Sequence, residues 1–298
     1  MAATTFPATL AVTRRSPART IALFYKEAKY ELLKNVRIPV YAISTVAFPL
    51  MFYVLFGIVL GSGNPVNRNE TAVYMLATMG CFGVMAVSLF GFGVSLAIER
   101  GQGWLQVKRA SPMPIAAYFF AKLFSAVVFS TVIMLLLLAV GTAFGGVRLP
   151  LATAARLVGI LVAGSIPFSS MGLAIGYFAK PNSAPAVVNL IYLPMAFCSG
   201  LWIPLFMLPH GLRMFANFLP PYHMSQLALN VVGMGMVPAA STWPHVEGLL
   251  SFSLICLGLA AWGYWRDEGK LYGPWLSLRR LLSIANGFGW EWRFRPWP

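Results

Sequence analysis

Residues 115–142 read IAAYFFAKLFSAVVFSTVIMLLLLAVGT, and Lys122 is the one charged residue among them. About 20 consecutive apolar residues are enough for an α-helix to cross the hydrocarbon core of a bilayer. Five other stretches of the chain are comparably apolar. The six together are 37–60, 72–97, 115–142, 153–178, 185–208 and 246–265. The sequence therefore predicts an all-α integral membrane protein with six transmembrane helices.

The composition supports lipid as the solvent for much of this chain. Of 298 residues, 58% are hydrophobic and 10% are charged, whereas roughly 25% are charged in a typical soluble domain. The net charge of +14 would suggest nucleic acid in a soluble protein. Here, however, the basic residues stand between the apolar runs, which is how a bilayer sorts them. We therefore expect contact with membrane lipid and no nucleic-acid partner.

Two segments outside the predicted spans carry patterns of their own. In residues 17–36, apolar side chains recur at helical spacing and charged ones fill the opposite face. This predicts an amphipathic helix in the membrane interface, although a cytosolic helix packed on a partner would show the same pattern. Residues 209–245 are long and still apolar, which favours short re-entrant helices buried against protein between spans five and six.

The basic residues also predict an orientation. With the N-terminus inside, 18 of the 22 Lys and Arg residues lie on the cytoplasmic side, and only Arg68, Arg148, Arg156 and Arg213 lie outside. Because cytoplasmic loops are enriched in Lys and Arg, we expect both termini in the cytoplasm and the chain in the cytoplasmic (inner) membrane. The predicted parts are a cytoplasmic segment 1–36, a transmembrane domain 37–265 and a basic, Trp-rich cytoplasmic tail 266–298.

No catalytic motif is present in the sequence. The chain has no G-x-x-x-x-G-K-[ST] motif for nucleotide binding, and its three histidines lack the spacing of metal ligands. Glu99, Lys122, Arg156 and Glu247 fall near predicted span ends, where their side chains could reach water. No carboxylate is predicted at mid-membrane, which disfavours an ion-coupled carrier. We expect no cofactor, metal or catalytic site in this chain.

The loop after the second span is the most informative one. Residues 99–112 read ERGQGWLQVKRASP, which indicates a short helix parallel to the membrane on the cytoplasmic side, or else an ordinary basic loop. Glu99-Arg100-x-x-Gly103, followed by Pro112 and Lys122 at fixed spacing, resembles the permeases of type-2 ATP-binding-cassette exporters. Gln106 stands where many of those relatives have Glu.

A second match to that family lies downstream. The chain continues with Ser199-Gly200-x-x-x-Pro204, then Met207-Leu208-Pro209, then Leu219-Pro220-Pro221-Tyr222-His223. This order is similar to the family's outer segment. With the predicted spans, the resemblance covers about residues 20–265.

The resemblance implies a mechanism. Permeases of this family work as dimers, of identical or paralogous chains, with a separate ATPase subunit that binds ATP and Mg. Glu99 and Arg100 would anchor a coupling helix that contacts the ATPase, Gly103 would permit close backbone approach, and Pro112 would end that helix. The path would run between spans one, two and five. The outer gate would contain Gly200, Pro204, Pro209, Pro220, Pro221 and Tyr222.

These observations predict a permease subunit of an ATP-driven exporter. Aromatic residues on spans one and two, among them Phe48, Phe52 and Phe82, suit an amphipathic or hydrophobic cargo such as a drug, a lipid or a lipid-linked glycan. Two alternatives stay open at this point. One is an ion-coupled secondary carrier or channel, and the other is a membrane scaffold or assembly subunit.

Overall fold

The computed structural model describes residues 17–61, 68–111, 113–235 and 242–287, with side chains as far as Asp267. Within these ranges the regular secondary structure is helical, joined by turns and short loops, and no β-strand is present. This confirms the predicted all-α class. Pro112, which the family resemblance implies would end a coupling helix, lies outside the described residues.

The described residues form twelve α-helices. They are α1 Pro17–Val36, α2 Pro39–Phe52, α3 Arg68–Ser88, α4 Ser95–Gly101, α5 Trp104–Ala110, α6 Ile115–Phe144, α7 Leu151–Ala163, α8 Ser165–Phe178, α9 Ala184–Cys198, α10 His210–Ala216, α11 Pro220–Val231 and α12 Trp243–Gly287. Two π-helical segments extend them: Tyr53–Val59 continues α2, and Leu89–Val94 joins α3 to α4.

Five helical stretches among the described residues are long and apolar enough to cross a membrane. They are Tyr41–Val59, Asn69–Gly101, Ile115–Phe144, Leu151–Phe178 and Trp243–Asp267. They coincide with predicted spans one to four and six, so the chain is a multi-pass membrane protein. The predicted fifth span corresponds to α9, which has 15 residues and a length of about 22 Å, shorter than a hydrocarbon core of about 30 Å.

The prediction of one continuous span over 185–208 is wrong beyond Cys198. The helix ends there, and Gly200 follows with a φ of +78°, a conformation that glycine adopts without steric cost. The hydroxyl of Tyr74 on α3 donates a hydrogen bond of 2.9 Å to the carbonyl oxygen of Gly200. This turn redirects the chain into a 3-10 helix, Leu205–Met207, and then into α10 and α11.

The stretch Asn69–Gly101 lies at the centre of the bundle, and glycines allow its neighbours to approach. A Cβ added at Gly83 would lie 2.8 Å from Cγ2 of Ile133 on α6, and one at Gly172 on α8 would lie 2.9 Å from the carbonyl oxygen of Ser88. These two glycines therefore serve close helix packing.

The last helix is longer than the sequence indicates. α12 continues through residue 265 to Gly287, so no helix end separates the last span from the first part of the tail. Residues 288–298, the Trp-rich end of the predicted cytoplasmic tail, lie outside the described residues.

Candidate functional site

The elbow between α4 and α5 is built on two glycines with different roles. Gly103 precedes α5 with a φ of +79°, and no heavy atom lies within 4 Å of a Cβ added there. Within the chain, glycine is therefore needed at this position for its left-handed backbone conformation and not to let a neighbouring group approach closely. Close approach occurs instead at Gly101, against the ring of Pro181. Sequence reasoning missed Gly101 because that contact is long-range.

Glu99 is the centre of an internal ion network. Its Oε1 accepts hydrogen bonds from Lys34 Nζ at 2.6 Å, from Lys122 Nζ at 3.1 Å and from Ser95 Oγ at 3.1 Å. The hydroxyl of Tyr118 donates to its other oxygen. These partners come from α1, α4 and α6, so the carboxylate holds three helices together at one end of the bundle.

Lys122 does not reach water, and the prediction that it does is wrong. The residue is 3% exposed, and its Nζ lies 2.9 Å from Glu31 Oε1 and 2.7 Å from Ser95 Oγ. Glu31 is also bound by Lys34 at 2.7 Å. Two carboxylates and two ammonium groups thus neutralise one another, which is the condition under which charges are buried.

The two members of this network on α1 lie outside the candidate spans, and their charges are mutually stabilised. Burial raises the pKa of Glu31, but Lys122 and Lys34 outweigh this effect and hold that pKa below its usual value. Burial likewise lowers the pKa of Lys34, while Glu31 and Glu99 overcome it and raise the pKa above its usual value. Both groups are therefore charged near neutral pH.

Arg100 extends in a different direction from its neighbour Glu99. Its guanidinium donates to the carbonyl oxygens of Tyr177 and Ala179, the latter at 2.8 Å, and pairs with Asp267 Oδ2 at 3.2 Å. A cation bound to the last carbonyls of α8 is favourably placed with respect to the helix dipole. Arg100 therefore ties α4 to α8 and α12.

One face of α5 exposes apolar side chains, and its other face packs against the bundle. Trp104 and Val107 are 56% and 61% exposed, whereas Leu105 is 3% exposed and packs in the core. Lys108 Nζ pairs with Glu27 Oε2 of α1 at 2.9 Å. We define Trp104 and Val107 as the α5 surface.

An aromatic cavity of about 490 Å³ opens between α2, the central stretch Asn69–Gly101 and α9. Phe52 stands 4.9 Å from Trp202, and Phe82 stacks on Tyr192 at 4.7 Å, measured between ring centroids. Asn189 adds an amide, and none of the lining side chains is charged. Phe48, Phe52 and Phe82, the aromatic residues named from the sequence, all line this cavity, and Phe90 lines it as well.

The predicted outer-gate residues shape the connection between α9 and α12. Pro204 and Pro209 stand directly before the 3-10 helix and α10, and Pro220 and Pro221 begin α11, where a missing N–H is tolerated. Tyr222 joins a small apolar cluster; its other buried members are Leu205, Leu208 and Ala216. This segment starts beside Trp202, a wall of the aromatic cavity.

Two histidines meet where α11 packs on α12, although they are 22 residues apart in the chain. The Nδ1 atoms of His223 and His245 are 2.9 Å apart, and His223 Nε2 lies 2.9 Å from the carbonyl oxygen of Asn217. Burial lowers the pKa of His223, and the bond to Asn217 opposes this only in part. No group of three or more metal-ligating side chains occurs in the described part of the chain.

Comparison with known proteins agrees with this architecture. The sequence profile of the ABC-2 type transporter family matches residues 23–232, a range that runs from α1 to the end of α11. The chain is also similar to YvfS of Bacillus subtilis (strain 168), a protein named as a transport permease. The two are 26% identical over 239 residues, which cover 79% of this chain and 94% of YvfS. Because the profile covers well over half of a multi-pass helical chain, this protein belongs to the ABC-2 type transporter family and is the membrane subunit of a transporter.

Proposed function

We propose that this chain is the permease subunit of an exporter in the inner membrane, driven by ATP that a separate subunit hydrolyses with Mg. The observation that carries the proposal is the elbow. The short helix α5, which exposes Trp104 and Val107, is joined through Glu99 and Arg100 to α1, α6, α8 and α12. A force applied to α5 must therefore move several helices together.

The α5 surface fits a protein partner better than water. Trp104 and Val107 are largely exposed on a helix that carries no carboxylate, and aromatic side chains are favoured anchors in protein interfaces. The ATPase subunit is the partner that we assign to this surface. Glu99 would position α5 rather than contact that partner, because its carboxylate is bound by side chains inside the chain.

The aromatic cavity suits the proposed cargo. Its walls combine aromatic faces with hydroxyl and amide groups from Ser44, Thr45 and Asn189, which match an amphipathic molecule with an apolar body and neutral polar groups. A carrier driven by an ion gradient is not favoured, because the lining has no charged residue to bind the coupling ion.

The segment from Gly200 to Tyr222 would act as the outer gate. Trp202 of this segment lines the cavity, and residues that follow it form a small apolar cluster, so a shift of the segment would open or close the cavity on that side. With α5 in the cytoplasm, this gate would lie on the outer side of the membrane. Export as the direction of transport follows from the resemblance to exporter permeases. A second permease chain would complete the path.

The test is removal of the α5 anchor. Trp104→Ala should weaken copurification of the P-loop ATPase that accompanies the wild-type chain, and it should lower vanadate-sensitive transport to a similar degree. Trp243→Ala is the matched control, since Trp243 is 65% exposed and lies outside the elbow. Normal ATPase capture and normal transport by Trp104→Ala would refute the assignment of α5. Transport that ignores vanadate and collapses with an ionophore would refute ATP-driven export.

A further inference from the structure

A second groove, separate from the aromatic cavity, lies between α8, α9 and α12. Its volume is about 620 Å³, and its walls include Ala174, Phe178, Val187, Ile191 and Leu259. These side chains are apolar, and Ala174 is small enough to leave the floor of the groove open. The groove therefore offers space for a flexible apolar chain.

The groove opens on a surface that faces lipid. Leu190 on α9 and Leu254 and Ile255 on α12 are 75%, 69% and 63% exposed. Large apolar side chains exposed on membrane helices are solvated by acyl chains. The molecules that can enter this groove are therefore those of the bilayer.

One end of the groove is basic. Lys180 lines it and is exposed, and the guanidinium of Arg266 stands 4.9 Å from the centroid of the Phe178 ring, which also lines the groove. Within the described residues, neither cation has a carboxylate partner. Asp267, the acid next to Arg266, is already paired with Arg100. Among the described residues, therefore, no carboxylate neutralises these two positive charges, and an anionic ligand at this end of the groove would do so.

Lys180 is also not needed to bind the free carbonyl groups at the C-terminal end of α8. The carbonyl oxygens of Tyr177 and Ala179 are occupied by Arg100. These bonds place the basic end of the groove at the same end of the bundle as α4 and α5. The leaflet that supplies a ligand is therefore the one on the side of α5.

We propose that this groove binds one anionic phospholipid. An acyl chain lies between α8, α9 and α12, and the phosphodiester lies between Lys180 and Arg266, where it supplies the missing negative charge. A zwitterionic phospholipid carries the same chains without net charge, so the site discriminates by headgroup. The site does not depend on the nature of the exported cargo.

Competition between lipids measures this site directly. The detergent-purified chain is incubated with equal amounts of phosphatidylglycerol and phosphatidylcholine of identical acyl composition, and adducts are counted by native mass spectrometry. We expect one phosphatidylglycerol to be preferred by at least about five-fold, the discrimination that one basic residue near a membrane surface supplies. Lys180→Gln with Arg266→Gln should abolish the preference.

Two controls isolate the headgroup and the groove. Arg148→Gln with Arg156→Gln makes the same change in net charge at exposed positions elsewhere and should retain the preference. Val187→Trp fills the groove and keeps both cations, so it should lower lipid occupancy.

The proposal is overturned if Lys180→Gln with Arg266→Gln keeps the preference, if the control pair loses it equally, or if Val187→Trp binds as the wild type does. Displacement of the lipid by an equal concentration of soluble glycerol phosphate would also overturn it, because the site would then recognise the anion alone.

Discussion

Replacing Lys122 by methionine should destabilise the whole bundle. The side chain of Lys122 is 1% exposed and is shared by Glu31 and Glu99, whose side chains are 8% and 17% exposed. Methionine has a similar length and no charge. Lys122→Met would therefore leave two largely buried carboxylates with one ammonium group, that of Lys34.

The size of the effect follows from these contacts. Removing one partner of a buried ion pair costs about 3–5 kcal/mol, because the other charge stays buried without compensation. Lys34 remains 2.7 Å from Glu31 and 2.6 Å from Glu99, so we expect the lower end, about 3 kcal/mol. At about 2–4 °C per kcal/mol, the unfolding midpoint falls by roughly 6–12 °C.

A thermal unfolding scan of the purified chain in detergent, followed by intrinsic tryptophan fluorescence, measures this shift. Lys108→Met is the matched control, since its 2.9 Å pair with Glu27 also ties α1 to the bundle but is 26% exposed on both sides. An exposed pair contributes about 0–1 kcal/mol, so Lys108→Met should change the midpoint little.

A second variant separates charge imbalance from lost packing. Glu31→Gln combined with Lys122→Met leaves Glu99 and Lys34 as a neutral pair, and this double variant should recover more than half of the lost stability. The reasoning is refuted if Lys122→Met is no less stable than Lys108→Met. It is equally refuted if the double variant is no more stable than Lys122→Met alone.

Three further predictions concern backbone, packing and pH. Gly103→Ala places a Cβ on a backbone with φ of +79°, which costs about 1–2 kcal/mol, and vanadate-sensitive transport should fall because the elbow is distorted. Gly172→Ala puts its Cβ 2.9 Å from the carbonyl oxygen of Ser88 and should lower the unfolding midpoint, whereas Gly159→Ala meets open space and should leave it unchanged or raise it slightly. Burial lowers the pKa of His223 in the folded chain, so the folded state favours the neutral imidazole. The stability that this provides is present above about pH 6.5 and is lost as the pH falls through the folded pKa, so the unfolding midpoint should decline with acid. His223→Gln should make that decline less steep.

Each of these predictions has an outcome that contradicts it. Gly146→Ala carries a similar backbone cost, with φ of +70° and nothing within 4 Å, so equal loss of transport there would show that the elbow is not special. A Gly172→Ala chain as stable as Gly159→Ala would contradict the close packing of α8. Stability that declines with acid as steeply after His223→Gln would assign the titration to another group.

The elbow shows how far sequence reasoning extends into a site. Residues 99–112 indicate a short helix or an ordinary basic loop after the second span, and a short helix, α5, is present at Trp104–Ala110. The partners of Glu99 did not follow from the pattern, because Lys34 is 65 residues away in the chain. The close approach at Gly101 was missed for the same reason, since its contact with Pro181 is made only in the folded bundle.

The apolar runs alone were sufficient to identify the bilayer as solvent, the all-α class and the long helices, because backbone groups in lipid must be satisfied within each segment. The local sequence was not sufficient to predict features of one segment that are set by contacts with a distant segment. The end of α9 at Cys198 depends on a turn bonded to Tyr74, and the burial of Lys122 depends on Glu31, 91 residues away. A charge near the end of an apolar run has the same local sequence whether it reaches water or an opposite charge, and packing of distant helices selects between the two.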